Sequence, residues 1–149
     1  MAISASGLFY LTFRDILQND TAIDLLADTV KVALFTNSTT NPNFDTNTAY
    51  GAAPFNANEV GSPSGGIALT TPTITVQAGS LLTYDADNTP WGSQTFSGAR
   101  GALVYDDTIT TPTADPALVL VNFGADYGVT SGVFTIQWAT AGIFYLDLA

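Results

Sequence analysis

The chain has 149 residues, enough for one domain that buries roughly 68–70% of its unfolded surface without staples. It contains no cysteine and no histidine, which excludes disulfides and thiolate chemistry and removes both the commonest general base and the commonest zinc ligand. Three basic residues stand against 13 acidic ones, a net charge of −10, and a chain this acidic is repelled by nucleic acid and by anionic membranes.

The opening MAISASGLFYLTFRD lacks a basic n-region and a long apolar run, so it does not read as a signal peptide. No stretch reaches the ~20 apolar residues of a membrane span. From Gly7 to Asp20, Leu8, Leu11, Asp15 and Gln18 follow helical spacing in part and Phe9, Phe13, Ile16 and Leu17 widen the apolar face, which predicts a short amphipathic helix with Ser6 as N-cap and Asn19-Asp20 as the stop. A second short segment runs from Asp20 to Asp28. Val30 to Thr36 is a strand, apolar on both sides apart from Lys31. Asn37 to Ser64 has no periodicity and carries Pro42, Pro54 and Pro63 with isolated Phe44, Tyr50 and Phe55. A loop this long is usually functional or ordered by a partner. Its aromatics either pin it to its own domain or reach a neighbour, and in the second case the loop is dispensable for folding.

Gly65-Gly66 opens a run of strands. Pro72 breaks IALTTPTITVQ; beyond it Thr73 to Gln77 alternates, with Ile74 and Val76 inward. Gly79-Ser80 is a turn, and Leu81 to Tyr84 the next strand. Gln94 to Phe96 leads into the centre of the chain, a hairpin of ARGALVYDD (Ala99 to Asp107) and ALVLVNFG (Ala117 to Gly124). Ala99, Leu103 and Tyr105 share one side of the first strand and Ala102 and Val104 the other. Leu118 and Leu120 share one side of the second, and Val119, Val121 and Phe123 the other. Strands apolar on both sides are covered on both sides. Tyr127 to Gly132 reads as a turn region. Val133 to Trp138 alternates with Phe134, Ile136 and Trp138 inward, and the end carries Phe144, Leu146 and Leu148 on one face. The fold expected is therefore all-β, an antiparallel β-sandwich or jelly-roll-like barrel of about eight or nine strands with a short N-terminal helix, in a single domain over 1–149.

Chemistry-bearing residues are few. Without His or Cys, only Lys31, Asp or Glu could activate a hydroxyl, and Lys31 reads as a solvated or paired strand lysine. Asp106 and Asp107 are adjacent in a strand and point to opposite faces, so they cannot act together. Asp85, Asp87 and Asn88 are turn formers by position, with a weak calcium site as the other reading. Arg100, in the most apolar strand, requires a carboxylate partner or an interface role. Trp138 alternates with core residues, whereas Trp91 follows Pro90 in a turn and is open to binding.

Several stretches in order carry a resemblance: DTVKVALFT (Asp28 to Thr36), Asn58-Glu59-Val60 before Gly65-Gly66-Ile67-Ala68-Leu69, ARGALVYDDT (Ala99 to Thr108), LVLVNFG (Leu118 to Gly124) and the closing GVFTIQWATAGIFYL. The set resembles a family of small tailed-bacteriophage virion proteins of the head-decoration or minor-tail type, over most of the chain from Asp28 to Leu148. One departure is GSPSGG after NEV, where a longer turn containing an aromatic is expected. The resemblance brings no catalytic residues and no cofactor. It implies a non-enzymatic structural protein, assembled into a virion in the host cytoplasm, that decorates or cements the outer capsid surface. The expected partners are the major capsid protein and further copies of the chain, a trimer being expected, with no nucleic acid and no membrane. The alternative is a tail-associated minor structural protein or carbohydrate-binding adhesion module. Arg100, Trp91, Phe44, Tyr50 and Phe55 are the candidate interface or partner-binding residues.

Overall fold

The computed structural model describes residues 3–147. In chain order the elements are β1 (Gly7–Leu8), α1 (Tyr10–Leu17), β2 (Val30–Thr36), β3 (Glu59–Val60), β4 (Ile67–Ala68), β5 (Thr73–Gln77), β6 (Leu81–Asp85), β7 (Thr89–Asp106), β8 (Ala117–Ile136) and β9 (Phe144–Asp147). They form two antiparallel sheets. The larger runs β1-β8-β7-β2-β3, with β4 pairing β2 directly at Lys31 and Val32, and the smaller runs β5-β6-β9. This is the all-β sandwich expected from the recurrent turns. No helix among the described residues is long and apolar enough to cross a membrane.

The central hairpin is much longer than its apolar core suggests. β7 and β8 pair continuously from Tyr105↔Ala117 out to Thr89↔Ile136. The glycine-rich stretch Tyr127 to Gly132 is bulged strand and not a turn. Between the pairs Gly101↔Asn122 and Ala99↔Tyr127, β7 takes two steps and β8 takes five. The surplus on β8 makes a corner. Gly98 (φ 78°) and Gly124 (φ 76°) supply the left-handed backbone it needs. The ribbon then folds back over itself. Phe123 and Phe134 lie on one strand, which if straight would hold them more than about 30 Å apart at ~3.3 Å per residue, yet their ring centroids are 6.5 Å apart. Strands that change layer at a bulge are how corners in packed sheets are made.

The sheet therefore has two dry faces. On one, Val32, Leu34, Ala102 and Val104 pack against Trp91 and Ile136 from the folded-back ribbon and against Tyr84 and Ile143. On the other, Ala33, Phe35, Leu103, Tyr105 and Leu120 pack against Ile3, Phe9 and Phe55. Register shifts between Val104 and Tyr105 and between Ala99 and Gly101 move two residues from the side that strict alternation assigns them. Leu118 joins Val119, and Ala99 joins Ala102 and Val104.

The N-terminal helix is shorter than expected. Gly7–Leu8 pairs with β8 instead, and the helix starts after Phe9 with no side-chain cap. Ser6 is not the N-cap; its hydroxyl accepts a hydrogen bond from the Asn122 N–H at 2.9 Å. Phe13 of α1 sits edge-on to Phe144 of β9 at 5.7 Å. In β5 all five residues are exposed, so Ile74 and Val76 are not buried as alternation predicts: the strand overhangs the layer beneath it. Leu148 lies outside the described residues.

Candidate functional site

The five candidate residues do not converge. Trp91 is fully buried, with Phe134 at 6.0 Å and Gly61 so near its pyrrole edge that a Cβ there would touch the ring. The turn expected at Trp91 is continuous strand, and the pleat points the indole inward. Trp91 is thus a core residue in this structure and not a surface available to a partner. Phe55, at 2% exposure, is also core. Its ring meets Phe9 at 5.8 Å and Phe35 at 5.1 Å. Phe44 packs against Phe9 at 5.3 Å. Tyr50 stacks on Tyr105 with centroids 4.5 Å apart and planes 9° apart. The loop aromatics therefore pin the loop to its own sheet, the first of the two readings open from the sequence.

The loop is held as firmly by polar groups. Ala49 bridges Pro116, the Ala117 N–H donates to the Thr48 carbonyl at 2.8 Å, and the Tyr50 N–H donates to the Asp115 carbonyl at 3.0 Å. Glu59, the chain's single glutamate, accepts from the Tyr50 hydroxyl at 2.8 Å and from the Gly65 N–H at 2.8 Å. The Tyr105 hydroxyl donates to the Gly65 carbonyl at 2.8 Å. Burial pushes the phenols of Tyr50 and Tyr105 up, because the phenolate would lose its water. Gly66 lies in the left-handed region, and a Cβ there would collide with the Val32 carbonyl, so the glycine pair marks a close backbone crossing.

Arg100 stands at the ribbon corner, where its guanidinium meets Asp126 at 3.1 Å. Asp126 belongs to the surplus residues of β8, so the ion pair ties the bulge to the straighter strand. The carboxylate-partner reading of Arg100 is the one observed. Lys31 pairs with Asp107 at 2.7 Å, and Arg14 with Asp15. All three cations of the chain are thus paired within it, and none is left to form a basic patch.

The carboxylates are used by the chain itself. Asp85 accepts from the Ala86 N–H, Asp87 from the Thr71 hydroxyl, and the Asn88 side chain from the Trp138 N–H. This is turn and strand-end chemistry. Among the described residues no group of three or more metal-ligating acids, histidines or cysteines converges. Asp106 and Asp107 do point apart. Asp106 is fully buried and accepts from the Thr108 and Ile109 N–H groups. Burial pushes its carboxyl up to about 6, and the neighbouring Asp28 charge adds to this against the two amide donors. One proton shared with Asp28 would satisfy its second oxygen, which no other group reaches. Fully buried, it can hold a proton but cannot meet a substrate.

Two apolar recesses open to the surface, and composition alone did not reveal either. One, of about 330 Å³, lies between α1 and the smaller sheet and is lined by Leu8, Phe13, Leu17, Ile74, Leu82 and Leu146, among others. Leu17 in its wall is 86% exposed, and Val76, two residues beyond Ile74 and so on the same face of β5, is 82% exposed. The other, of about 460 Å³, lies inside the ribbon fold, walled by Phe123, Tyr127, Phe134 and Trp138 with Gln137 at the rim. No charged residue lines either one. Both depend on tertiary events, the corner and the overhang of β5, which leave no mark in local periodicity. No family model matches the chain, and no curated protein or solved structure matches it either.

Proposed function

We propose that this chain is a non-enzymatic structural protein of a bacteriophage virion, decorating or cementing the outer surface of the capsid. The observation that carries the reading is the apolar recess between α1 and the smaller sheet, which no charged residue lines, with Leu17 and Val76 exposed nearby on a chain of net charge −10. Apolar patches of that kind mark contact surfaces, and the negative field favours the outside of a shell over its DNA-filled interior. The partners proposed are the major capsid protein and further copies of the chain, with neither nucleic acid nor membrane, and the chain is placed in virions assembled in the host cytoplasm. Contacts that are weak singly become effective when repeated over a symmetric shell, and a protein that binds the shell but not its free subunits stabilises the shell by linkage.

The test compares shells with and without the protein in a thermal challenge. A raised rupture temperature, lost with Leu17→Asp, supports the reading. Equal rupture temperatures, with the protein found only on tails, reject it. The aromatic groove favours one second reading, a tail-associated carbohydrate-binding module, since Tyr127 and Trp138 line it with rings on which a sugar could stack and Gln137 adds a hydrogen-bonding group. Binding on a glycan array that Tyr127→Ala abolishes would move the proposal there.

A further inference from the structure

We propose that the free edge of β5 pairs with the same edge of a second copy of this chain, antiparallel about a twofold axis through Thr75. β5 has β6 as its sole strand neighbour among the described residues, and their register runs from Thr73↔Asp85 to Gln77↔Leu81 without a bulge. Alternate N–H and C=O groups of β5 therefore point away from the sheet, in a straight row. Natural proteins guard such edges with a charge, an internal proline, a bulge or a covering segment. β5 has none of these: Pro72 precedes it, all five residues are exposed, and no charged residue occurs between Glu59 and Asp85.

The side chains say which strand fits. Thr-Ile-Thr-Val-Gln is close to a palindrome. Antiparallel pairing about Thr75 sets Ile74 opposite Val76 of the second copy, Thr75 opposite its own equivalent, and Thr73 opposite Gln77. Apolar residues meet apolar residues on one face and hydroxyls or amides meet on the other, the pairings that stabilise antiparallel ladders. Charge points the same way. Two copies of net charge −10 repel wherever carboxylates face each other, and this edge is a neutral stretch of the surface. The joined sheet would run β9-β6-β5 and then β5-β6-β9 of the second copy. Its apolar face would carry Ile74 and Val76 of both copies beside the recess under Leu17. A palindromic edge closes as an isologous pair, so the unit proposed here is a dimer, where the sequence reading expects a trimer. This deepens the oligomer part of the proposal above, but it concerns the isolated chain, so its failure leaves the capsid reading to its own test.

Sedimentation equilibrium over roughly two decades of concentration around the micromolar range is the experiment. The average mass of the parent should rise toward twice the 15.5 kDa of the chain. Val76→Lys, which restores a natural edge guard, should weaken association at least about tenfold, with an unchanged circular dichroism spectrum and, at concentrations where the parent is a single chain, an unchanged melting temperature. The chain has no cysteine, so Thr75→Cys should oxidise to a covalent dimer. Thr73→Cys should not, because its equivalents would lie about 13 Å apart across the axis, beyond disulfide reach. A single-chain mass at every concentration would overturn the pairing and leave the edge to a strand from another protein. Equal association of parent and Val76→Lys, or equal cross-linking at 73 and 75, would overturn it too.

Discussion

The two faces of the central sheet are closed in opposite ways. One is covered by strands: the ribbon turns its corner at Gly98 and Gly124 and lays Trp91 and Ile136 over Leu34 and Val104. The other is covered by a segment that is almost free of regular structure, residues 37–66, which lays Phe44, Tyr50 and Phe55 over Phe35, Leu103 and Tyr105. The first cover is held in place by backbone pairing of β7 with β8. The second is held by aromatic side chains, with backbone hydrogen bonds at Thr48 and Tyr50 and the Glu59 carboxylate tying Tyr50 to Gly65. A dry face needs apolar area and satisfied polar groups, and both covers supply them.

The largest effect is expected where the two faces share a strand. Val104→Asp buries an unpaired charge in the middle of the sheet and should abolish the folded state, a loss of more than about 4 kcal/mol; insolubility or a featureless near-ultraviolet spectrum is the readout. Phe55→Ala should cost about 3–5 kcal/mol in chemical denaturation, as for a large buried ring in a core. A cost below 1 kcal/mol would mean that the irregular cover only rests on the sheet.

Two smaller effects concern the strand-built side. The buried Asp106 carboxyl has a raised pKa, so the folded state binds its proton more tightly than the unfolded chain does. The stability this gives is fully present below the ordinary aspartate pKa and is lost as pH rises through about 6. Asp106→Asn keeps an acceptor for the Thr108 and Ile109 amides and removes the titration. It should therefore gain about 1–2 kcal/mol on the parent between pH 4.5 and 7.5, read as a flatter dependence of melting temperature on pH. At the corner, a double-mutant cycle of Arg100→Ala and Asp126→Ala should give a coupling of about 1 kcal/mol or less, since Asp126 is half in water.

The strand-built cover was legible where side chains alternate without interruption. Val30 to Thr36 and Leu81 to Tyr84 lie within one residue of their observed ends, and the hairpin at Ala99 and Ala117 is central. The corner was not legible, because glycine signals a turn and a bulge equally. Only the pairing of Phe96 with Val129 and of Ala99 with Tyr127 separates the two. Trp91 reads as open to binding for the same reason: Pro90 beside it suggests a turn, while the ladder makes it a strand residue facing the core. In the irregular cover, the aromatics showed that the segment packs on something, but not on what. The exposure of Val76 was hidden too, since alternation identifies the face of a strand and not whether anything lies beneath it.

Amide hydrogen exchange at Tyr50 and Ala117 tests most directly whether residues 37–66 are part of the core and not an arm held out for a partner. Both amides are bonded across the junction of cover and sheet, to Asp115 and Thr48. Both are expected to exchange as slowly as the amides of Val104 and Leu120, through the same global opening. Exchange at the rate of an unstructured chain, with Val104 still protected, would show the cover opening on its own and would return Phe44, Tyr50 and Phe55 to the surface as partner-binding residues.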